Sequence, residues 1–292
     1  MEKDLGFMAS RESYREAAAV LLGVPMDYTA SFRPGSRLAP RRVREVSRVL
    51  EEYSLALQAD LRDCPFHDWG DLVLPCGNTP RCLEIIRRAG EKLAGDGKLA
   101  LAIGGEHLIT LPLVEALAGR HSRLAVLHLD AHADLREEYL GERYSHSTVM
   151  RRVAEVVGGE NLFQCGIRSA DREELLFARE HTRFRPGNLL QGLREVVPLL
   201  RGRPVYVSLD IDVADPAYAP GTGTPEPGGC TSEELLEALY LMRGLAVVGF
   251  DLVEVSPVND ASDRTAILAA KVIREALLLF VAGQGGTAPA EG

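Results

Sequence analysis

The sequence predicts an α/β fold, a single three-layer αβα domain spanning residues 1–292 around a mostly parallel central sheet. Three observations carry that expectation. Short runs rich in Val, Ile and Leu alternate with stretches of helical spacing, which is the pattern of strand and helix taking turns. The apolar runs are continuous rather than alternating with polar residues, as expected of strands covered on both faces. Finally, neither an internal repeat nor a long linker divides the chain.

In chain order, strands are expected at 18–25 (AAVLLGVP), 98–105 (KLALAIGG), 123–130 (RLAVLHLD), 162–169 (LFQCGIRS), 204–212 (PVYVSLDID) and 245–257 (LAVVGFDLVEVSP). Helical spacing is clear at 80–95, 231–243 and 263–281, with Thr231 or Ser232 standing ahead of acids as an N-cap. The final segment, GQGGTAPAEG (283–292), reads as a loose tail.

Composition narrows the function. Hydrophobic residues make up 46% and charged residues 26%, and no run of apolar residues is long enough to cross a bilayer, so no membrane partner is expected. Glu2, Lys3 and Asp4 open the chain without a secretory leader, which points to the cytoplasm. Cys64, Cys76, Cys82, Cys165 and Cys230 are scattered without a C-x-x-C pair and read as reduced thiols. A net charge of -9 argues against nucleic acid and suits a cationic or neutral ligand.

The chemistry-bearing residues fall at the carboxyl ends of the expected strands, where α/β folds bind ligands. Glu106 and His107 follow one strand, Asp130, His132 and Asp134 a second, Asp210 and Asp212 a third, and Glu254 a fourth. Alternate positions on an extended segment share a side, so Asp130, His132 and Asp134 are expected to face one point if the strand persists or opens gradually into a loop. One D-x-D after a strand is commonly a turn or a cap. Two such sets with His107 imply more, because crowded carboxylates repel and lose hydration, a cost best relieved by metal. Four carboxylates and two imidazoles without a thiolate favour manganese over zinc, and six ligands exceed what one ion with an open position uses. Two Mn2+ ions sharing bridging aspartates are therefore expected, and two divalent cations balance four aspartates so that a bridging hydroxide leaves the core slightly negative.

The segments GGEH (104–107), DAHADLR (130–136), SHST (145–148), SLDIDVADPAYAPGTGTPEPGG (208–229) and DLVEVSP (251–257), in that order, resemble the ureohydrolase family of arginases and agmatinases over nearly the whole chain. VPMDYTASFRPGSRLAPRRVREVS (24–47) and EEYS (51–54) resemble bacterial agmatinases in particular. The resemblance implies an arginase-like fold and a di-manganese centre bridged by Asp130 and Asp210, with His107 and Asp134 on one ion and His132 and Asp212 on the other. It further implies that a bridging hydroxide attacks the guanidinium carbon of a small cationic substrate, a weak electrophile because its charge is delocalised, and that the tetrahedral intermediate collapses to urea and an amine. His146 matches the family histidine that hands a proton to the departing amine, and Glu254 the glutamate that holds the guanidinium. Relatives assemble as homotrimers or homohexamers, and the same is expected here.

The substrate expectation rests on the loop LREEYLGERY (135–144), where arginases place Asn and Ser to grip an amino acid. Glu137, Glu138 and Glu142 suit the bare amine of agmatine, giving urea and putrescine; aminopropylagmatine meets the same logic, while guanidinobutyrate and arginine carry a carboxylate. Asn259 stands where many agmatinases have an aromatic residue, and APGTGTPEPGG (219–229) reads as a wall of the pocket. Metallophosphoesterases share the D-x-H, and WGD (69–71) mimics another of their motifs, but in the wrong order and without G-N-H. A deacetylase on the related fold would bind one zinc and leave Asp134 and His107 without a role. A non-catalytic metal-binding scaffold is disfavoured because every ligand and both catalytic residues are present. His67, His121 and His181 lie outside any motif.

Overall fold

In the computed structural model, which describes residues 6–10 and 13–282, each apolar run of the sequence forms a strand of one sheet. The strands are β1 (Ala19–Val24), β4 (Phe66–Asp71), β5 (Leu99–Gly104), β6 (Ala125–Leu129), β7 (Leu162–Cys165), β8 (Arg183–Arg185), β9 (Pro204–Asp210) and β10 (Ala246–Val253), while β2 (Tyr53–Ser54) and β3 (Ala59–Asp60) pair as a separate antiparallel ribbon. Among the described residues the main sheet has the order β4-β1-β5-β10-β9-β6-β7-β8, and every pairing in it is parallel.

Side-chain alternation explains the unbroken apolar runs. In β1, Ala19 and Leu21 enter one hydrophobic layer while Val20 and Leu22 enter the other. The first layer is closed by α1 (Ala39–Ser47), α6 (Leu189–Leu200), α7 (Ser232–Leu241) and α8 (Arg264–Ala282), through residues such as Val43, Leu193, Leu235 and Ile273. The second is closed by α2 (Thr79–Gly95), α3 (Thr110–Ala118), α4 (Val149–Val157) and α5 (Arg172–His181), through Ile86, Leu113, Val153 and Ala178. The expected αβα layering is thus observed.

Local sequence sets the helix starts. Thr231 caps α7 by accepting from the Glu234 N–H while Glu234 accepts from the Thr231 N–H. Asn78 caps α2 in the same sense, accepting from Arg81 N–H. Two edge strands carry no apolar run to announce them, because β4 (FHDWGD) and β8 (RFR) are only half buried. The expected tail at 283–292 lies outside the described residues, and among the described residues no helix is long and apolar enough to cross a membrane.

The four central strands β5, β10, β9 and β6 are neighbours, and all the chemistry-bearing segments leave from their carboxyl ends. The chain after β5 passes tightly over the chain after β1: Gly105 N–H donates to Val24 O at 2.9 Å and Glu106 N–H to Met26 O at 2.7 Å. A Cβ at Gly105 would lie 1.8 Å from Met26 O, so only glycine fits without moving backbone. Gly105→Ala should therefore destabilise the fold by about 1–3 kcal/mol, read as a lower midpoint in chemical denaturation; an unchanged midpoint would contradict this packing.

Candidate metal centre

The six sequence-predicted donors converge. His107 Nδ1 lies 3.1 Å from Asp130 Oδ2, 3.1 Å from Asp134 Oδ2 and 3.3 Å from Asp210 Oδ2. His132 Nδ1 lies 2.9 Å from Asp212 Oδ2 and 3.6 Å from Asp130 Oδ1. Donor atoms within 4.8 Å of one another form two groups, one with His107, His128, Asp130 and Asp134 and one with Asp130, His132 and Asp212, and Asp130 belongs to both.

The convergence is not made by a persisting strand. β6 stops at Leu129, Asp130 Oδ1 accepts from the His132 N–H at 2.6 Å, and Asp134 turns through a left-handed φ of 54°. β9 likewise ends at Asp210, whose Oδ1 accepts from the Asp212 N–H at 2.8 Å across a tight turn. Glu254, after β10, also has a positive φ, of 63°. Non-glycine residues pay strain there, and such positions persist where the surrounding structure over-determines them.

A metal fits this donor set, and His107 shows why. Ser208 Oγ donates to Asp251 Oδ1 at 2.7 Å, so at 2.9 Å from His107 Nε2 it is left to accept. Asp251 also accepts from Tyr206 Oη and Thr110 Oγ1. This chain places the imidazole proton on Nε2 and aims the Nδ1 lone pair at three carboxylates, where it is buried without a hydrogen-bond partner. Only a cation, either a proton or a metal ion, reconciles those groups. His128, which the sequence reasoning passed over, supports Asp130 in the same way: Gln164 donates to its Nδ1 at 3.1 Å, leaving Nε2–H to donate to Asp130 Oδ2 at 2.7 Å. The signal for both supports was a polar residue inside a buried strand, His128 in AVLHL and Asp251 in AVVGFDLV.

Electrostatics in the metal-free protein reflect crowding. Burial, reinforced by Asp130, pushes Asp134 up to about 7. Burial also drives Glu106 to about 7 and, with Glu106 beside it, Glu254 to about 8. Asp210 is raised by burial and by its neighbours Asp212 and Asp130. For His132 burial favours the neutral form, but Asp212 and Asp130 outweigh it and raise the group to about 12. Burial lowers His146 to about 4.

His107, His132, Asp134, Asp210 and Asp212 line a cavity of about 370 Å³ together with His146, Glu254, Tyr139 and Glu226, while Asp130 lies buried beneath them. In SHST, Ser145 N–H donates to Thr148 Oγ1 at 2.9 Å, starting the turn that presents His146. His146 N–H donates to Thr29 Oγ1 at 3.0 Å, and the Thr29 hydroxyl donates to Glu106 Oε2 at 2.8 Å. Glu254 Oε1 accepts from His107 N–H at 2.7 Å. The 219–229 loop supplies Thr224 and Glu226 to the cavity, matching its expected place as a wall.

Other expectations shift. Glu137 is engaged by Arg143 at 2.9 Å, Arg151 at 3.1 Å and Arg152 at 3.2 Å, so it is not held out for a substrate amine. Glu142 faces a separate recess, and from the 135–144 loop it is Arg136 and Tyr139 that line the metal cavity. Asn259 Nδ2 donates to Ser256 Oγ at 2.7 Å. Asp71 of WGD is tied to Arg44 at the end of an edge strand, away from the cluster.

A parallel αβα sheet with paired His–Asp groups across adjacent strand ends defines an α/β protein built around a metal centre. Residues 17–279 match the model of the arginase family, and the chain belongs to that family. Agmatinases from Bacillus subtilis (strain 168) and Bacillus anthracis are 50% and 49% identical over 278 residues, covering 94% of this chain and 96% of each relative. The crystal structure of agmatine ureohydrolase of Thermoplasma volcanium aligns with a TM-score of 0.87 at 32% identity, covering 94% of both chains.

The charge state predicts a pH response. Asp134, Glu106 and Glu254 hold protons in the metal-free fold that the unfolded chain loses near its ordinary 3.8–4.5, so their stabilisation is full below that range and lost as the pH rises through about 7–8. His132 adds a loss of the same sign above 6.5, whereas the opposite change of His146 runs from about 4 through 6.5 and levels off just above it. Metal-free protein should therefore melt at lower temperature as the pH rises from about 6.5 to 8.5. Added Mn2+ should release protons and raise the melting temperature more at the upper pH. A metal-induced shift that shrinks with pH would contradict the assignment.

Proposed function

We propose that the chain is an agmatine ureohydrolase, converting agmatine and water to urea and putrescine with two manganese ions held by His107, Asp130, His132, Asp134, Asp210 and Asp212. The observation that carries this reading is that five of the six donors, all but the buried Asp130, line one cavity with Glu254 and His146. When bound, the two cations supply a water-derived nucleophile at neutral pH and offset the charge of four buried aspartates.

The remaining chemistry belongs to the chain. Glu254 has one carboxylate oxygen fixed by His107 N–H, leaving the other to pair with the guanidinium by a charge-assisted hydrogen bond. Burial holds Glu254 near 8 without a partner, and an arriving guanidinium favours its ionised form. That pairing fixes the substrate carbon relative to the donor cluster, which converts a bimolecular attack into an oriented one.

His146 then moves the proton. With the Thr29 hydroxyl proton committed to Glu106, the Thr29 oxygen, 3.4 Å from Nδ1, is left to accept from it. Nε2, beside Ser147 at 3.2 Å and Ser31 at 3.4 Å, is the basic nitrogen. Lowered to about 4, the imidazole is neutral at pH 7 and able to accept the proton released as water adds to carbon. It passes that proton to the departing amine as the C–N bond breaks.

The whole chain acts in this reading as one catalytic domain, and its five unpaired cysteines suit a cytoplasmic enzyme. Urea release from agmatine, aminopropylagmatine, arginine and guanidinobutyrate with added Mn2+ tests the substrate: agmatine should show the highest kcat/KM, and a preference for arginine overturns the assignment. Asp130→Asn should lose bound manganese and urea release together, measured by elemental analysis and assay. His146→Ala should keep the metal while kcat falls about 100-fold; loss of manganese in that variant would assign it to the ligand set instead.

A further inference from the structure

The cavity holds one acid that neither the donor cluster nor the folding of its own loop consumes. We infer that Glu226 receives the ammonium end of the substrate and sets the preference for an amine-terminated guanidine, an inference that rests on the agmatine reading above.

Besides the metal donors and Glu254, three acids line the cavity: Asp171, Glu174 and Glu226. Asp171 pairs with Arg136 at 2.9 Å and caps α5 by accepting from Glu174 N–H at 2.9 Å. Glu174 is buried and accepts from Leu135 N–H and Asp171 N–H, each at 2.9 Å. Both carboxylates are spent on holding the wall together. The Glu226 carboxylate, among the described residues, takes part in no hydrogen bond or ion pair; only its backbone carbonyl is engaged.

That engagement fixes where the side chain starts. Arg168 Nη2 donates to the carbonyls of both Asp212 and Glu226 at 2.7 Å, so the backbone at Glu226 is clamped against the backbone of a proposed metal ligand. Pro225 and Pro227 flank it, and their locked φ angles limit how far the residue wanders. A preset anion costs less ordering on binding than a mobile one.

Span agrees. A Cβ at Gly223 would lie 3.5 Å from Glu254 Oε2, which places residue 223 beside the proposed guanidinium site. Three residues further on, Glu226 Cα is at most about 11 Å from Gly223 Cα, and extended agmatine measures about 7 Å from guanidinium carbon to amine nitrogen. Charge selects the same tail. Arg136, the cation on this wall, is already neutralised by Asp171, whereas a carboxylate tail would meet the unpaired Glu226.

The test compares agmatine with 1-butylguanidine, which has the same four-carbon chain but ends in a methyl group, using manganese-loaded wild type and Glu226→Gln. The ratio of kcat/KM for agmatine to that for butylguanidine should fall about tenfold in the variant, mostly through KM, as expected for loss of a partly solvated charge-assisted bond. Raising the salt concentration should lower the ratio in wild type and leave it unaltered in the variant. An unchanged ratio, or equal losses on both substrates, would overturn the role of Glu226 while leaving the agmatine reading intact. Wild type that releases no urea from agmatine would instead overturn that reading, and this inference with it.

Discussion

Four aspartates buried within hydrogen-bond distance of two imidazoles are the constraint around which this molecule is organised. Asp130, Asp134, Asp210 and Asp212 are each 7% exposed or less, and like charges so placed are unfavourable without cations between them. Burial and the neighbouring carboxylates accordingly raise both Asp134 and Asp210 above the usual carboxylate range. The arrangement is an energetic liability that bound cations would offset.

Holding such a cluster requires geometry that the backbone resists. Asp134 and Glu254 both occupy the left-handed region, and both sit where a parallel strand has just ended. The sheet is rigid and buried on both faces, so its four central strand ends deliver these segments to one place and pay the local strain. Around them a second ring of hydrogen bonds removes the remaining freedom. Asp251 acts through Ser208 on His107, Gln164 acts through His128 on Asp130, and Glu106 acts through Thr29 on His146. Each chain begins at a buried polar residue that would otherwise be costly, which explains why strands otherwise filled with Val, Leu and Ile tolerate it.

The cavity wall shows the same division of labour. Arg168 spends its guanidinium on the carbonyls of residues 212–214 and 226–227, stitching the Gly- and Pro-rich loop to the metal cluster. A loop without regular secondary structure is thereby given a defined shape next to the donors. Glu137, expected to face the substrate from 135–144, is instead drawn into pairs with Arg143 of its own loop and with Arg151 and Arg152 of α4, the next helix along the chain.

Much was determined by the sequence alone. Continuous apolar runs required strands covered on both faces, hence a parallel sheet between helices, and the clustering of Asp and His just past those runs pointed to a metal site, the best of the ways in which crowded carboxylates are relieved. Those inferences hold because burial and charge are properties of residue types and spacing. Other features had no local signature. The joining of β5, β10, β9 and β6 as neighbours depends on pairing between segments far apart in the chain, and the edge strands β4 and β8 lack the burial that makes a strand visible. Just past β6 and β9 the side chains of Asp130 and Asp210 bond the backbone N–H two residues on, so the chain turns there instead of continuing as strand. Which acids are consumed by arginines and which, like Glu226, stay unpaired was decided only when distant elements met, because an ion pair depends on distance in space rather than on order along the chain.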